Sequence, residues 1–152
     1  MPILISKKGD VFLDFLKMDE KNINDSISDA PLTHSLVVVK YKDDYLLLFN
    51  KWRQNWELAG GMIDEGESPR ECAIRELCEE TNQIVSQLNF KGLMKFRLKP
   101  DDRFEYGALY SGEIKDLRPF QENEEAEQIL FWDKKSDIGY IDEIDEKLLE
   151  YY

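Results

Sequence analysis

Residues Gly60–Gln83 read GGMIDEGESPRECAIRELCEETNQ. The stretch opens on paired glycines, carries seven acids against two arginines and ends in a run of glutamates. Acids at that density repel one another, so they either face water or surround something positive. Ser68-Pro69-Arg70-Glu71 spells a helix start. Ser68 caps, Pro69 suits the first helical position and Glu71 completes an S-x-x-E capping box. Strong helix formers follow through Glu80, and Asn82 tolerates the left-handed conformation that ends a helix. The expected helix runs from Pro69 to Thr81. A glycine-containing loop, 60–67, precedes it, and before that lies an apolar strand, 45–49.

On such a helix Glu76, Glu79 and Glu80 stand at i, i+3 and i+4 and share one face within about one turn. Ile74, Leu77 and Thr81 lie on another side, where they can pack on a sheet. Like charges at this spacing cost a few tenths of a kcal/mol per pair, and no lysine is interleaved to offset them. The residues alone leave two readings open: a solvated acidic face, or a site for a hard divalent cation, for which clustered carboxylates are natural ligands.

The spacing resembles the box of the Nudix hydrolases, G-x5-E-x7-R-E-U-x-E-E-x-G-U, where U is bulky and apolar. Gly61, Glu67, Arg75, Glu76, Leu77, Glu79 and Glu80 all fall in register. Asn82 stands where glycine is usual and can serve the turn. Gln83 stands where an apolar residue is usual, and Ile84 is expected to supply that contact. Ala59 replaces a proline found in many members. The resemblance covers residues 33–150, although only the box is specific, and it implies an α/β/α sandwich around a mixed β-sheet. It also implies attack of water on phosphorus in a nucleoside diphosphate linked to another group. Further, it implies Mg²⁺ or Mn²⁺ held by Glu76, Glu79, Glu80 and the Gly61 carbonyl, with Arg75 bracing Glu67. The base is then either Glu76 or an acid of loop 121–127. There Glu125 lies six residues before Phe131, and Glu124 is the alternative. Asp64 and Glu65 are expected to be solvated.

The rest of the chain fits one domain, 1–152, in which residues 1–32 precede the region of resemblance. Residues 2–16 suggest a hairpin across Lys8-Gly9-Asp10, and 17–31 a polar, turn-rich loop. Strands are expected at 35–41, 45–49, 88–98, 104–112 and 129–132, with a closing helix at 141–152. Net charge is −12, which argues against long nucleic acids as partners; only the middle of the chain, 84–120, is mildly basic. Cys72 and Cys78 point to different sides of one helix, cannot bridge within it, and suit a reducing compartment. No apolar run approaches the ~20 residues of a membrane span, and no signal peptide is visible, so a cytoplasmic protein is expected. His34, the only histidine, starts an apolar strand and reads as structural.

Substrate selection lies outside the box. Trp52, Trp56, Phe96, Phe104 and Tyr106 are candidates for stacking on a base. Trp52 is preferred because it sits in the polar run 50–55. Arg53, Arg97 and Arg103 are candidate phosphate clamps. The expected substrate is a small nucleotide, a nucleoside or deoxynucleoside triphosphate cut to monophosphate and pyrophosphate. The runner-up is ADP-ribose or a nucleotide sugar, with residues 2–16 pairing across a homodimer. A non-catalytic nucleotide-binding regulator of the same fold is the third reading. The full set of box carboxylates disfavours it.

Overall fold

Alternation along the strands organises the molecule. The computed structural model describes residues 1–152. It contains β1 (Leu4–Ile5), β2 (Val11–Leu16), β3 (Leu32–Tyr41), β4 (Asp44–Asn50), β5 (Asn55–Glu57), β6 (Ala59–Met62), β7 (Asn89–Leu98), β8 (Arg103–Glu113) and β9 (Ala126–Trp132). These form one sheet in the order β1-β2-β7-β8-β3-β4-β5, with β6 paired to β3 and β9 to β4. Only β3 and β8 run parallel, so the sheet is mixed. Three helices complete the chain: α1 (Ile23–Ser26), α2 (Pro69–Thr81) and α3 (Glu143–Leu148), the last continued by a 3₁₀ turn, Leu149–Tyr151.

Successive strand residues face opposite sides. Val37, Val39, Leu46, Leu48, Leu93, Ala108 and Tyr110 therefore pack with Ala73 and Leu77 of α2 on one face. Val38, Leu47, Met94, Phe96 and Leu109 pack with Ile144, Leu148 and Leu149 on the other. The result is the α/β/α sandwich that the resemblance implied. The strand β3 forks the sheet. Its last residues, Lys40 and Tyr41, pair with β4, while His34–Val37 pair with β6. Beyond the fork, β4 diverges to pair with β9 and β5.

Helix α2 has the expected bounds because its caps are strong. The Ser68 hydroxyl accepts from the Glu71 amide at 3.1 Å and the Glu71 carboxylate accepts from the Ser68 amide at 2.9 Å. Asn82 adopts φ 61°. The buried Ser35 hydroxyl of β3 donates to the Pro69 carbonyl at 2.7 Å and ties the first turn to the sheet.

Four details differ from the sequence reading. Gly60 and Gly61 belong to strand β6 rather than to a loop, because their partners Leu36 and Ser35 are supplied by a distant segment. Gln83, not Ile84, turns inward: Gln83 is fully buried and Ile84 is 50% exposed. The Gln83 amide is satisfied by the Arg118 backbone, donating to its carbonyl at 2.7 Å and accepting from its N–H at 3.1 Å. The segment 17–31 contains a 3₁₀ turn, Glu20–Asn22, and α1, whose Ile23 is buried in the core. Finally, the closing helix starts at Glu143, since Asp142 caps it by accepting from the Asp145 amide at 3.0 Å.

Replacing Ser68 by alanine removes one half of the capping box and should cost about 1 kcal/mol. That loss corresponds to a Tm lower by about 2–4 °C for a domain of this size, with helix content unchanged by circular dichroism. An unaltered Tm would mean that the cap contributes nothing here.

Candidate active site

The box folds as strand, loop and helix, with Arg75 at the centre. Its Nε donates to Glu67 Oε2 at 2.7 Å and its Nη2 to Glu67 Oε1 at 3.0 Å, a bidentate pair. Nη1 donates to Glu76 at 2.8 Å and to Glu79 at 3.1 Å. Nη2 also reaches the Met62 carbonyl at 3.0 Å. The guanidinium holds the Glu67 carboxyl well below the usual carboxylate range. Its five N–H groups are all committed within the box, so its part is to position groups.

Glu76 packs directly on Gly61. A Cβ at that position would lie 2.6 Å from the Glu76 carboxylate, so any larger residue would push that carboxylate aside. The Cys72 thiol donates to the Gly61 carbonyl at 3.3 Å from beneath. Burial raises the Glu76 carboxyl above its ordinary pKa against the opposing pull of Arg75. Glu80 is 4% exposed and its Oε1 accepts from the Gly60 amide at 2.8 Å. Burial, then the adjoining Glu125 carboxylate, push its pKa up to about 10.

Glu125 arrives from the loop before β9. Asn123 fixes that loop, donating to the Glu80 carbonyl at 2.9 Å and accepting from the amides of Glu125 and Ala126 at 3.1 and 2.9 Å. The Lys51 amide donates to the Glu125 carbonyl at 2.7 Å, and the Trp52 indole to the Glu124 carbonyl at 2.9 Å. The structure thus brings Gly61, Glu67, Arg75, Glu76, Glu79, Glu80 and Glu125 together. Trp52, 77% exposed, and Arg53 sit beside the same loop. It does not bring Arg97 or Arg103 to the box. Arg103 is held by Glu105 at 2.7 Å and Asp101 at 2.9 Å, and Arg97 sits on β7 in register with Val11 of β2 and Phe104 of β8, away from the strand that carries the box glycines.

A cavity of about 150 Å³ opens on the other face of the sheet, lined by Asp10, His34, Leu36, Phe96, Leu98, Asp142, Ile144 and Asp145. His34 is thus a cavity wall as well as a strand residue. Its ring lies 5.6 Å from Phe96 at 30°, and burial holds its pKa below the ordinary value. Its neighbours across β3 are the box residues: His34 pairs with Met62 and Leu36 with Gly60. A surface cavity of about 640 Å³ lies elsewhere, between segments 84–89 and 112–116 and Tyr152, and holds no box residue.

Sequence reasoning missed two acids. Glu57 is 6% exposed. Asp145 accepts from the Leu58 amide at 2.9 Å, and burial, then Asp142, raise its pKa well above the usual range. Their one signal was an acid set among apolar neighbours: Trp56 and Leu58 for the first, Ile144 and Leu148 for the second.

The donor set suits a hard divalent cation: carboxylates of Glu76, Glu79 and Glu80 and the Gly61 carbonyl. The buried Glu80 carboxyl beside the Glu125 carboxylate is a repulsion that such an ion would relieve. No three of these carboxylates converge on one point, because Arg75 holds Glu76 and Glu79 while Gly60 holds Glu80. Binding would exchange some of those hydrogen bonds for metal ligation.

The profile of the NUDIX domain matches residues 32–151, and the chain belongs to that family. An uncharacterized Nudix hydrolase, YvcI of Bacillus subtilis, is 34% identical over 98 residues, which span 63% of this chain and 62% of that relative's length. The fold is shared with the Bacillus subtilis pyrophosphohydrolase BsRppH at a TM-score of 0.69, with 20% identity, covering 89% of this chain and 79% of the other. It is also shared with a MutT NUDIX hydrolase from Burkholderia pseudomallei at 0.69, with 15% identity, covering 81% and 98%. No helix is long and apolar enough to cross a membrane.

A carboxyl whose pKa rises on folding binds more protons folded than unfolded between the two pKa values. Stability therefore falls as pH climbs from the ordinary 4.5 towards about 10. Glu80→Gln removes this penalty and keeps an acceptor for Gly60. In chelator, its Tm should exceed that of the parent at pH 8 by about 3 °C or more, and the gap should narrow at pH 5. A variant less stable than the parent at pH 8 would contradict a burial penalty on the Glu80 charge.

Proposed function

We propose that this protein is a divalent-metal-dependent pyrophosphohydrolase of small nucleotides. Its substrate is a nucleoside or deoxynucleoside triphosphate, cut to monophosphate and pyrophosphate. The observation that carries this reading is Glu80, buried, fixed by the Gly60 amide and pressed against Glu125, with Glu76 seated on Gly61 beside it. A fold that only needed an acidic surface would not bury the Glu80 carboxyl beside another acid.

In this reading Gly61, Glu76, Glu79 and Glu80 hold Mg²⁺ or Mn²⁺, which would neutralise phosphoryl oxygens and acidify a nearby water. Arg75 and Glu67 keep the loop and helix in register. Glu125 is the acid best placed to accept the water's proton, since its loop is pinned through Asn123 to the end of α2. Glu76, whose pKa is also raised, is the alternative. The cavity across β3 takes the nucleoside, whose ring packs on Leu36, Phe96, Leu98 and Ile144. The names of the two similar solved structures, a pyrophosphohydrolase and a MutT hydrolase, support the reaction class. The whole chain works as one domain, and two free cysteines suit the reducing cytoplasm.

The test is a panel of triphosphates, 8-oxo-dGTP, ADP-ribose and sugar nucleotides, run in ¹⁸O-water with Mg²⁺ or with chelator. Turnover should vanish in chelator, and label should enter a phosphate-containing product. Glu80→Gln should lower kcat by orders of magnitude and Glu125→Gln by less. Label found only on a sugar hydroxyl would rule out attack at phosphorus. A kcat/KM for ADP-ribose at least tenfold above every triphosphate would replace the substrate named here.

A further inference from the structure

Three polar side chains are buried at the sheet edge formed by β4 and β5. Asn50 and Asn55 are each 1% exposed and Glu57 is 6% exposed. Their register places them on the same face as Leu48, since Leu48 pairs with Glu57 and Asn50 with Asn55. Packing alone would favour more apolar residues there. Instead Asn50 Nδ2 donates to Glu57 Oε1 at 2.9 Å. Asn50 Oδ1 accepts from the backbone amides of Trp52 and Arg53, both at 2.9 Å. Glu57 in turn takes the Arg53 fork, Nε to Oε2 at 3.0 Å and Nη2 to Oε1 at 2.8 Å. One asparagine thereby fixes both the turn that carries Arg53 and the carboxylate that orients it.

Arg53 remains available to a ligand. Its side chain is 55% exposed, and Nη1 makes no hydrogen bond. After Glu57, the charges that act on it are Glu125 and Asp145. The first belongs to the box side and the second lines the cavity, so the guanidinium feels a charge from each. The other candidate arginines are poorly placed. Arg75 has its donors committed, Arg103 is bound to Asp101 and Glu105, and Arg97 sits on β7 opposite Val11 of β2 and Phe104 of β8, away from β6.

We infer that Arg53 binds the phosphate chain and that Asn50 and Glu57 are its positioning residues, aiming the free Nη1 edge between the box carboxylates and the cavity. The inference rests on a triphosphate substrate. A buried carboxylate that only stabilised the edge strand could be replaced by an apolar group at little cost. Its bidentate hold on Arg53 limits the fork to one orientation, which a lone exposed arginine lacks.

The experiment is a double-mutant cycle read by binding as well as turnover. Calorimetry would follow an α,β-methylene triphosphate analogue and the matching phosphate-free nucleoside. Arg53→Ala should weaken the triphosphate about tenfold, the effect of losing a charge-assisted hydrogen bond, and leave the nucleoside unchanged. Glu57→Gln should weaken the triphosphate severalfold, and the double variant should bind no worse than Arg53→Ala alone. In turnover the same variants should raise KM and keep kcat within about twofold, the mark of lost uniform binding. If Glu57→Gln fails to fold by circular dichroism, Glu57→Asp, which keeps the charge and shortens the reach, should show the same coupling. Additive losses in the double variant, or Arg53→Ala binding the triphosphate like the parent, would overturn the inference. Coupled binding without hydrolysis by the parent would overturn the proposed function alone. A parent that binds no triphosphate would overturn both.

Discussion

The seating of the Glu76 carboxylate on Gly61 is the contact on which the site depends. It lies where α2 packs on β6, next to the point where the Gly60 amide holds Glu80. The bare backbone at Gly61 leaves room for the carboxylate, which a Cβ there would displace. Two more ties reinforce it: Ser35 to the Pro69 carbonyl and Cys72 to the Gly61 carbonyl. Arg75 then gathers Glu67, Glu76 and Glu79 around one guanidinium. The glycine, the arginine and the glutamates of the box therefore form one mechanical unit. Their fixed spacing is the imprint of a strand packed under a helix.

That unit is electrostatically unbalanced. Arg75 brings one positive charge to Glu67, Glu76 and Glu79, while Glu80 takes the Gly60 amide and lies beside the Glu125 carboxylate. Glu80 is drawn in by the Gly60 amide, and Glu125 by the hydrogen bonds of Asn123. Backbone geometry thus forces together two groups that charge alone would separate. Local instability of this kind is typical of a site prepared for a ligand, and here the rest of the sandwich stabilises it.

Much of this was legible in the sequence because the signals were local. Ser68, Pro69, Glu71 and Asn82 bound α2 within thirteen residues, and the glutamate spacing follows from helix geometry. The strand character of Gly60 and Gly61 was not legible. Glycine has no strand propensity, and the pairing partner lies some twenty-five residues earlier in the chain, as a rough separation for a non-local contact. Gln83 misled for a related reason. Its amide is paired with the Arg118 backbone, a contact that no local pattern announces. Glu57 and Asp145 were missed because each is an acid in an apolar setting, which only the tertiary arrangement of β5, β6 and α3 explains. The arginines looked equivalent in sequence and differ in the structure through their partners.

The box and the cavity lie on opposite faces of the sheet, which constrains any ligand that uses both. The cavity walls His34 and Leu36 pair directly with Met62 and Gly60, so the route between the two runs past β6. Side chains along that strand would narrow the route, and its centre is two glycines. The Asp145 carboxylate bonds the Leu58 amide just before β6 and joins the start of α3 to the same edge. Arg53 and Glu57 occupy the neighbouring edge, within reach of the charges on both sides. A ligand whose flat ring fills the cavity and whose anionic chain reaches Gly61 would therefore pass the one exposed guanidinium with a free N–H edge in this part of the molecule. A ring joined to a short, flexible, multiply charged chain meets that requirement, and a rigid or extended polymer meets it less easily.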